Sequence, residues 1–152
     1  MERNPRSYVK MKVISDPNLQ IPTTFQRFHL SFQAQKVGYL QGCRAFIGLD
    51  GCHLKGPFGG ILLCAIAIDA NGSVYPVALG DVEIKSHDSW RWFLDLLYRH
   101  VGVHEKRQVC FMTNQQEGII AALNEVWPNH NSSFCCRHIL SNMLGRYVVY
   151  NC

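Results

Sequence analysis

Between Phe46 and Val101 the hydrophobic pattern changes period once, from two residues to 3.6, and that single change confines the chain to few architectures. Phe46 to Leu49, Ile61 to Asp69 and Ser73 to Leu79 are short apolar or alternating runs divided by turn residues, which reads as three strands. The run ILLCAIAID is nearly all apolar, as a strand covered on both faces must be. GCHLKGPFGG is a turn or short loop, and Asn71-Gly72 predicts a tight hairpin of the primed type. From Asp88 the positions Trp90, Phe93, Leu94, Leu97 and Val101 form one helical face, with Ser86 or Asp88 as cap and Gly102 as stop.

Beyond this helix the chain alternates. Val109 to Thr113 is a strand, and a helix with Ile119, Leu123 and Val126 on one side ends at Pro128. Ser132 to Cys135 is a short strand, and Leu140, Met143, Leu144 and Tyr147 predict a further helix from Arg137. Because a helix after a strand crosses over to a parallel neighbour, the last two strands are expected beside the first. The expectation is an α/β fold with a mixed five-stranded sheet, three antiparallel strands and then two parallel, flanked by helices. In it Asp50 and Asn114 face each other at adjacent strand ends.

Residues 1–45 read as a preface to a core formed by residues 46–152. MERNPRSYVKMKVI suggests a strand and Asp16 to Thr24 a loop, while FQRFHLSFQAQKVGYL predicts a helix from the spacing of Phe25, Phe28, Phe32, Ala34 and Tyr39.

Size and composition remove several classes of function. At 152 residues the chain is about one domain, and 47% hydrophobic with 17% charged residues describes a globular protein. No apolar run reaches the roughly 18 residues of a membrane span, and the polar N-terminus lacks a signal-peptide core, so a nuclear or cytoplasmic address is expected. Seven cysteines, most of them inside apolar runs, argue against a disulfide framework. Net charge is +4, and it is uneven: residues 1–60 hold eight Lys/Arg against three Asp/Glu, whereas residues 61–152 hold seven against eight. Arg3, Arg6, Lys10 and Lys12 could lie along phosphates, or simply be solvated.

Asp50 closes the first apolar run and is followed at once by Gly51. A carboxylate there sits on a rigid element with space in front of it, as a metal-binding acid does. The plainer alternative is that Asp50-Gly51 is a turn pair joining two strands.

Longer stretches carry a resemblance. NPRSYVK at 4–10, GCRAFIGLDGCHLKGPFGG at 42–60, AIAIDANGSVYPVALGDVE at 65–83, DSWRWFLDLL at 88–97 and FCCRHILSN at 134–142 resemble plant Mutator-like (MULE) transposases. The element order is similar to that of the ribonuclease-H-like fold. The resemblance implies a DDE chemistry, in which three acidic residues hold two Mg²⁺ or Mn²⁺ ions that drive DNA cleavage and strand transfer. Two such cations about 3.5 to 4 Å apart flank the scissile phosphate, and several carboxylates must converge to offset their charge.

On that pattern Asp50 matches the first acid. The second position reads Thr113-Asn114-Gln115-Gln116-Glu117-Gly118, so Asn114 stands where an aspartate is expected. As a helix cap followed by Glu117 the amide serves as well as the acid, but as a ligand between two dications it lacks the charge. The third acid would lie beyond Cys152, which implies a domain incomplete at its C-terminus, with an apolar sheet face open to self-association.

Cys135 and His138 reproduce a C-x-x-H motif of the family. With Cys136 or His130 they could grip a soft metal, but no second ligand pair follows and zinc is not expected. His53 and Lys55 could contact phosphate or be ordinary loop residues. Asp50, Glu83 and Asp81 offer a weaker acidic set for an unrelated nuclease. Trp90 reads as core and Trp92 as surface, neither as a base-stacking residue. The expectation is thus a transposase-derived domain without productive metal chemistry, or a nuclear module that binds DNA, a partner protein or another transposase copy. No membrane and no small-molecule substrate are expected.

Overall fold

The computed structural model describes residues 4–16, 18, 21–102, 108–114 and 116–135. Arg3, Cys136, His138 and the helix expected from Arg137 lie outside the described residues. Ten elements follow in the order β1 (Tyr8–Asp16), β2 (Ile21–Ser31), α1 (Gln33–Gly42), β3 (Phe46–His53), β4 (Ile61–Ile68), β5 (Val74–Val82), α2 (His87–Val101), β6 (Cys110–Thr113), α3 (Glu117–Val126) and β7 (Asn131–Phe134). The sheet has seven strands in the order β1-β2-β5-β4-β3-β6-β7. It contains the expected antiparallel meander β3-β4-β5 and the parallel additions β6 and β7. The expected count of five fails because β2 pairs antiparallel with β5 and carries β1 outside it.

The second departure explains the first. Phe25 to Ser31 is strand, and helix α1 begins only at Gln33. The inward positions of β2 are Arg27, His29 and Ser31, all nearly inaccessible, while Phe25 is 48% exposed. With polar residues inside, the strand's period of two is hidden and the aromatic spacing mimics a helix. The loop expected over residues 16–24 is correspondingly short, since β2 starts at Ile21. Helix α1 opens with two borrowed acceptors: Ser7 Oγ accepts from Gln33 N at 3.3 Å, and Gln35 Oε1 accepts from Phe32 N at 2.8 Å.

Two turns also differ from expectation. Asp50-Gly51 does not reverse the chain, because β3 continues to His53 and Gly51 pairs with Leu63. The reversal comes later, where Leu54 N donates to Gly60 O at 3.0 Å. At the other hairpin Gly72 has φ +84° but Asn71 does not have positive φ, so the turn is not of the primed type. Asp69 shapes it, its Oδ1 accepting from Asn71 N at 2.9 Å and Ser73 N at 2.8 Å.

Helix α2 fills the centre of one sheet face. Trp90, Phe93, Leu94 and Leu97 are fully buried there, over a floor that includes Leu63, Ala65, Ala78 and Val82. Ser86 caps it through Ser89 N, and Gly102 with φ +67° ends it. Asp88 in the first turn and Arg99 in the last complement the helix dipole. Helix α3 packs on α2 through Ile119, Ala122 and Leu123.

Arg27 ties β2 to this layer. Only 3% exposed, it donates from Nε to Glu83 Oε2 at 2.8 Å, binds Glu83 again through Nη2, and reaches Asp88 Oδ2 at 2.7 Å. Its guanidinium also lies 5.8 Å from the Trp92 ring. Next along the strand, His29 has no exposed surface and neither ring nitrogen has a partner among the described residues. Tyr8, Trp92, Phe93 and, through its charge, His100 surround it.

Burial first and His100 second push His29 down to about 4 from 6.5. The unfolded chain therefore takes up a proton below 6.5 that the folded chain refuses until about 4, so stability is complete above 6.5 and drains away as pH falls through that window. Between pH 7.5 and pH 5 this group alone should remove about 2 kcal/mol. Urea denaturation at the two pH values checks it, with His29→Leu expected to lose less stability over the same range than the unaltered chain.

Candidate functional site

The parallel pair β3 and β6 brings the two expected acid positions to one end of the sheet. Phe46, Ile47 and Gly48 pair with Cys110, Phe111 and Met112, and the same register carried two residues on brings Asp50 level with Asn114. The hydrophobic pattern thus sets the alignment: Ile47 and Leu49 enter the core, which turns Asp50 to the other face, where it is exposed. There Asp50 stands opposite Cys64. Burial first, then Cys52 and Asp50, push the Cys64 thiol up.

Asn114 is half-buried, and its Oδ1 accepts from Gln116 N at 3.3 Å. The N-cap of α3 is Gln116, so Asn114 is not the cap and Glu117 is not the third residue of a capping box. The polar Thr-Asn-Gln-Gln stretch gave several possible starts. The helix takes the last, with Asn114 forming a side-chain turn before it.

A third residue occupies the notch between these strand ends. Lys85, on the segment between β5 and α2, donates from Nζ to Gly51 O at 2.9 Å and lies 3.7 Å from Asp50 Oδ1. Its side chain is only 20% exposed. A Cβ at Gly51 would come within 3.1 Å of Lys85 Cε and 2.9 Å of Leu63 Cδ2, so the glycine lets the lysine stem lie against the strand. Gln116 Nε2 donates to Lys85 O at 3.3 Å, joining this segment to the start of α3. Asp50 Oδ1 also accepts from Gly51 N at 2.8 Å.

Among the described residues the notch holds one carboxylate, one ammonium and two amides. Two dications need several converging carboxylates, and this donor set does not fit them. Among the described residues no group of three or more His, Cys, Asp or Glu side chains is placed to hold a metal ion.

The other candidates are scattered. Glu83 is held by Arg27, whose hydrogen bonds keep its carboxyl below the usual range. Asp81 pairs with Leu62, which pairs with Cys52, so two strand spacings, about 10 Å, separate it from β3. His53 ends β3, and Lys55 is exposed in the loop that follows. Cys135 is half-buried just past β7, its N–H donating to Thr113 O at 3.0 Å. His130 binds Trp127 O through Nδ1 at 2.6 Å. Trp90 is core, and Trp92 is half-buried against Arg27.

Arg6, Lys10 and Lys12 are exposed near and on the edge strand β1, four strand spacings or about 19 Å from β3. Lys10 and Lys12 pair with His29 and Arg27, which face α2, so the two lysines stand on the opposite side of the sheet from Asp50. A groove beside them, of about 510 Å³, is lined by Lys12, Arg27, Arg91, Trp92 and Arg99. Its arginines are paired, Arg91 with Glu125 at 3.1 Å and Arg99 with Asp95 at 2.8 Å.

Sequence reasoning missed Lys85 and Arg27. Lys85 carried no pattern signal, being one polar residue in a connecting segment, and Arg27 was hidden by the misread helix.

A family model described as the MULE transposase domain matches residues 46–142. A search of curated proteins found no match to the chain.

The raised Cys64 thiol and the exposed Cys52 make the Asp50 face chemically testable. At pH 8, iodoacetamide should modify Cys52 at least about tenfold faster than Cys64, as read by peptide mass spectrometry, and denaturant should abolish the difference.

Proposed function

Because the chain belongs to the MULE transposase domain family, we propose that it is a transposon-derived domain of the DDE, ribonuclease-H-like type that keeps the scaffold and has lost the cutting chemistry. The β3-β4-β5 meander with β6 and β7 added in parallel supports the fold assignment, with β1 and β2 as an extension at its β5 edge. The observation that carries the functional reading is the parallel register of β3 and β6, which, carried two residues past the paired positions, brings Asp50 level with Asn114. The second position is an amide, which brings no negative charge to offset two dications. Mg²⁺ or Mn²⁺ is therefore not bound productively.

What remains to such a domain is binding in the nucleus. Arg6, Lys10 and Lys12, exposed on one edge of the sheet, can follow a DNA backbone without the Asp50 notch. His53 and Lys55 lie past the strand that carries Asp50 and could add a phosphate contact there. Association with another transposase copy fits the same reading.

Two outcomes test it. Purified protein with Mg²⁺ or Mn²⁺ should not nick DNA bearing terminal inverted repeats, and Asn114→Asp alone should not restore nicking; metal-dependent cleavage abolished by Asp50→Ala would overturn the reading. DNA binding followed by gel shift should weaken with salt, and neutralising Lys10 and Lys12 together should reduce the log–log salt slope by about two. An unchanged slope would remove these residues from the interface.

A further inference from the structure

We propose that Lys85 is the built-in counter-cation of Asp50, and that its ammonium, fixed in the notch between β3 and α3, excludes divalent metal from this carboxylate. The inference rests on the functional reading above and adds to it the residue that sets the charge of the site.

The placement of Lys85 is what separates it from an ordinary surface lysine. A solvated lysine swings freely and screens a neighbouring carboxylate weakly. Lys85 is held along its length. Its stem lies against Gly51, its Nζ donates to Gly51 O at 2.9 Å, and its own carbonyl accepts from Gln116 Nε2 at 3.3 Å. The segment that carries it is fixed at both flanks, by Glu83 and Asp88 on the buried Arg27 and by Ser86 as the cap of α2. The ammonium therefore stays 3.7 Å from Asp50 Oδ1.

A dication ligated by Asp50 would sit within a few ångströms of that charge. The repulsion between a 2+ and a 1+ ion at such a distance, even at the dielectric constant of water, weakens binding by at least about tenfold. Asn114 supplies no negative charge to offset it. Among the described residues Asp50 and Lys85 neutralise each other, so together they offer a dication no net attraction.

Manganese binding to the full chain, followed by electron paramagnetic resonance, tests this. Lys85→Gln removes the charge and keeps a donor for Gly51 O; it should bind Mn²⁺ at least about tenfold more tightly than the unaltered chain. Lys85→Arg keeps the charge and should bind as the unaltered chain does. Adding Asp50→Asn to Lys85→Gln should abolish the gain. Circular dichroism melts confirm folding, and Lys85→Met, which preserves the apolar stem, replaces the Gln variant if that one does not fold. Equal Mn²⁺ affinity with and without the Lys85 charge overturns the proposal, as does a gain that survives Asp50→Asn. Neither result touches the loss of cleavage, which is read from nicking of DNA, and nicking by the unaltered chain would sink that reading whatever the manganese affinities.

Discussion

A buried arginine holds the two halves of this fold together. Arg27 comes from a strand that the hydrophobic pattern does not announce, and it receives one carboxylate from the end of β5 and another from the first turn of α2. A charge so nearly removed from water is tolerated only because its hydrogen bonds are met and its flat face rests on Trp92. The consequence reaches further than the seam itself. Glu83 and Asp88 bracket Lys85, so the same guanidinium fixes the short connection that delivers an ammonium to Asp50. The edge hairpin and the notch at the strand ends are thereby coupled through one side chain.

Much of the architecture was legible. The change of hydrophobic period located β3 to β5 and α2 within a few residues, and Ser86 and Gly102 marked the ends of α2 as their cap chemistry requires. The parallel direction of β3 and β6 followed from the crossover rule and put positions 50 and 114 at the same end of the sheet. What was not legible has a common cause. In β2 the inward residues are Arg27, His29 and Ser31, so burial and hydrophobicity point in opposite directions and the periodicity misleads. Gly51 read as a turn because glycine after aspartate so often is one, yet its missing side chain makes room for Lys85 instead. Lys85 itself is defined by what surrounds it in space, and no spacing along the chain encodes that.

The fold around Asn114 is set independently of that side chain. Asn114 accepts a backbone hydrogen bond as an aspartate would, and α3 begins three residues later with Gln116 as its N-cap. The parallel strands, the register and the crossover are specified by core residues such as Ile47, Leu49 and Phe111.

The pairing of β2 with β5 also sets an order of events during synthesis. Phe28 must find Asp81, and Arg27 must find Glu83 and Asp88, none of which has been made when the first hairpin leaves the ribosome. Until then the nascent hairpin carries an arginine and a histidine that belong in an interior not yet built. The β3-β4-β5 meander, joined by short local turns, can assemble on its own and present the edge on which that hairpin finally docks.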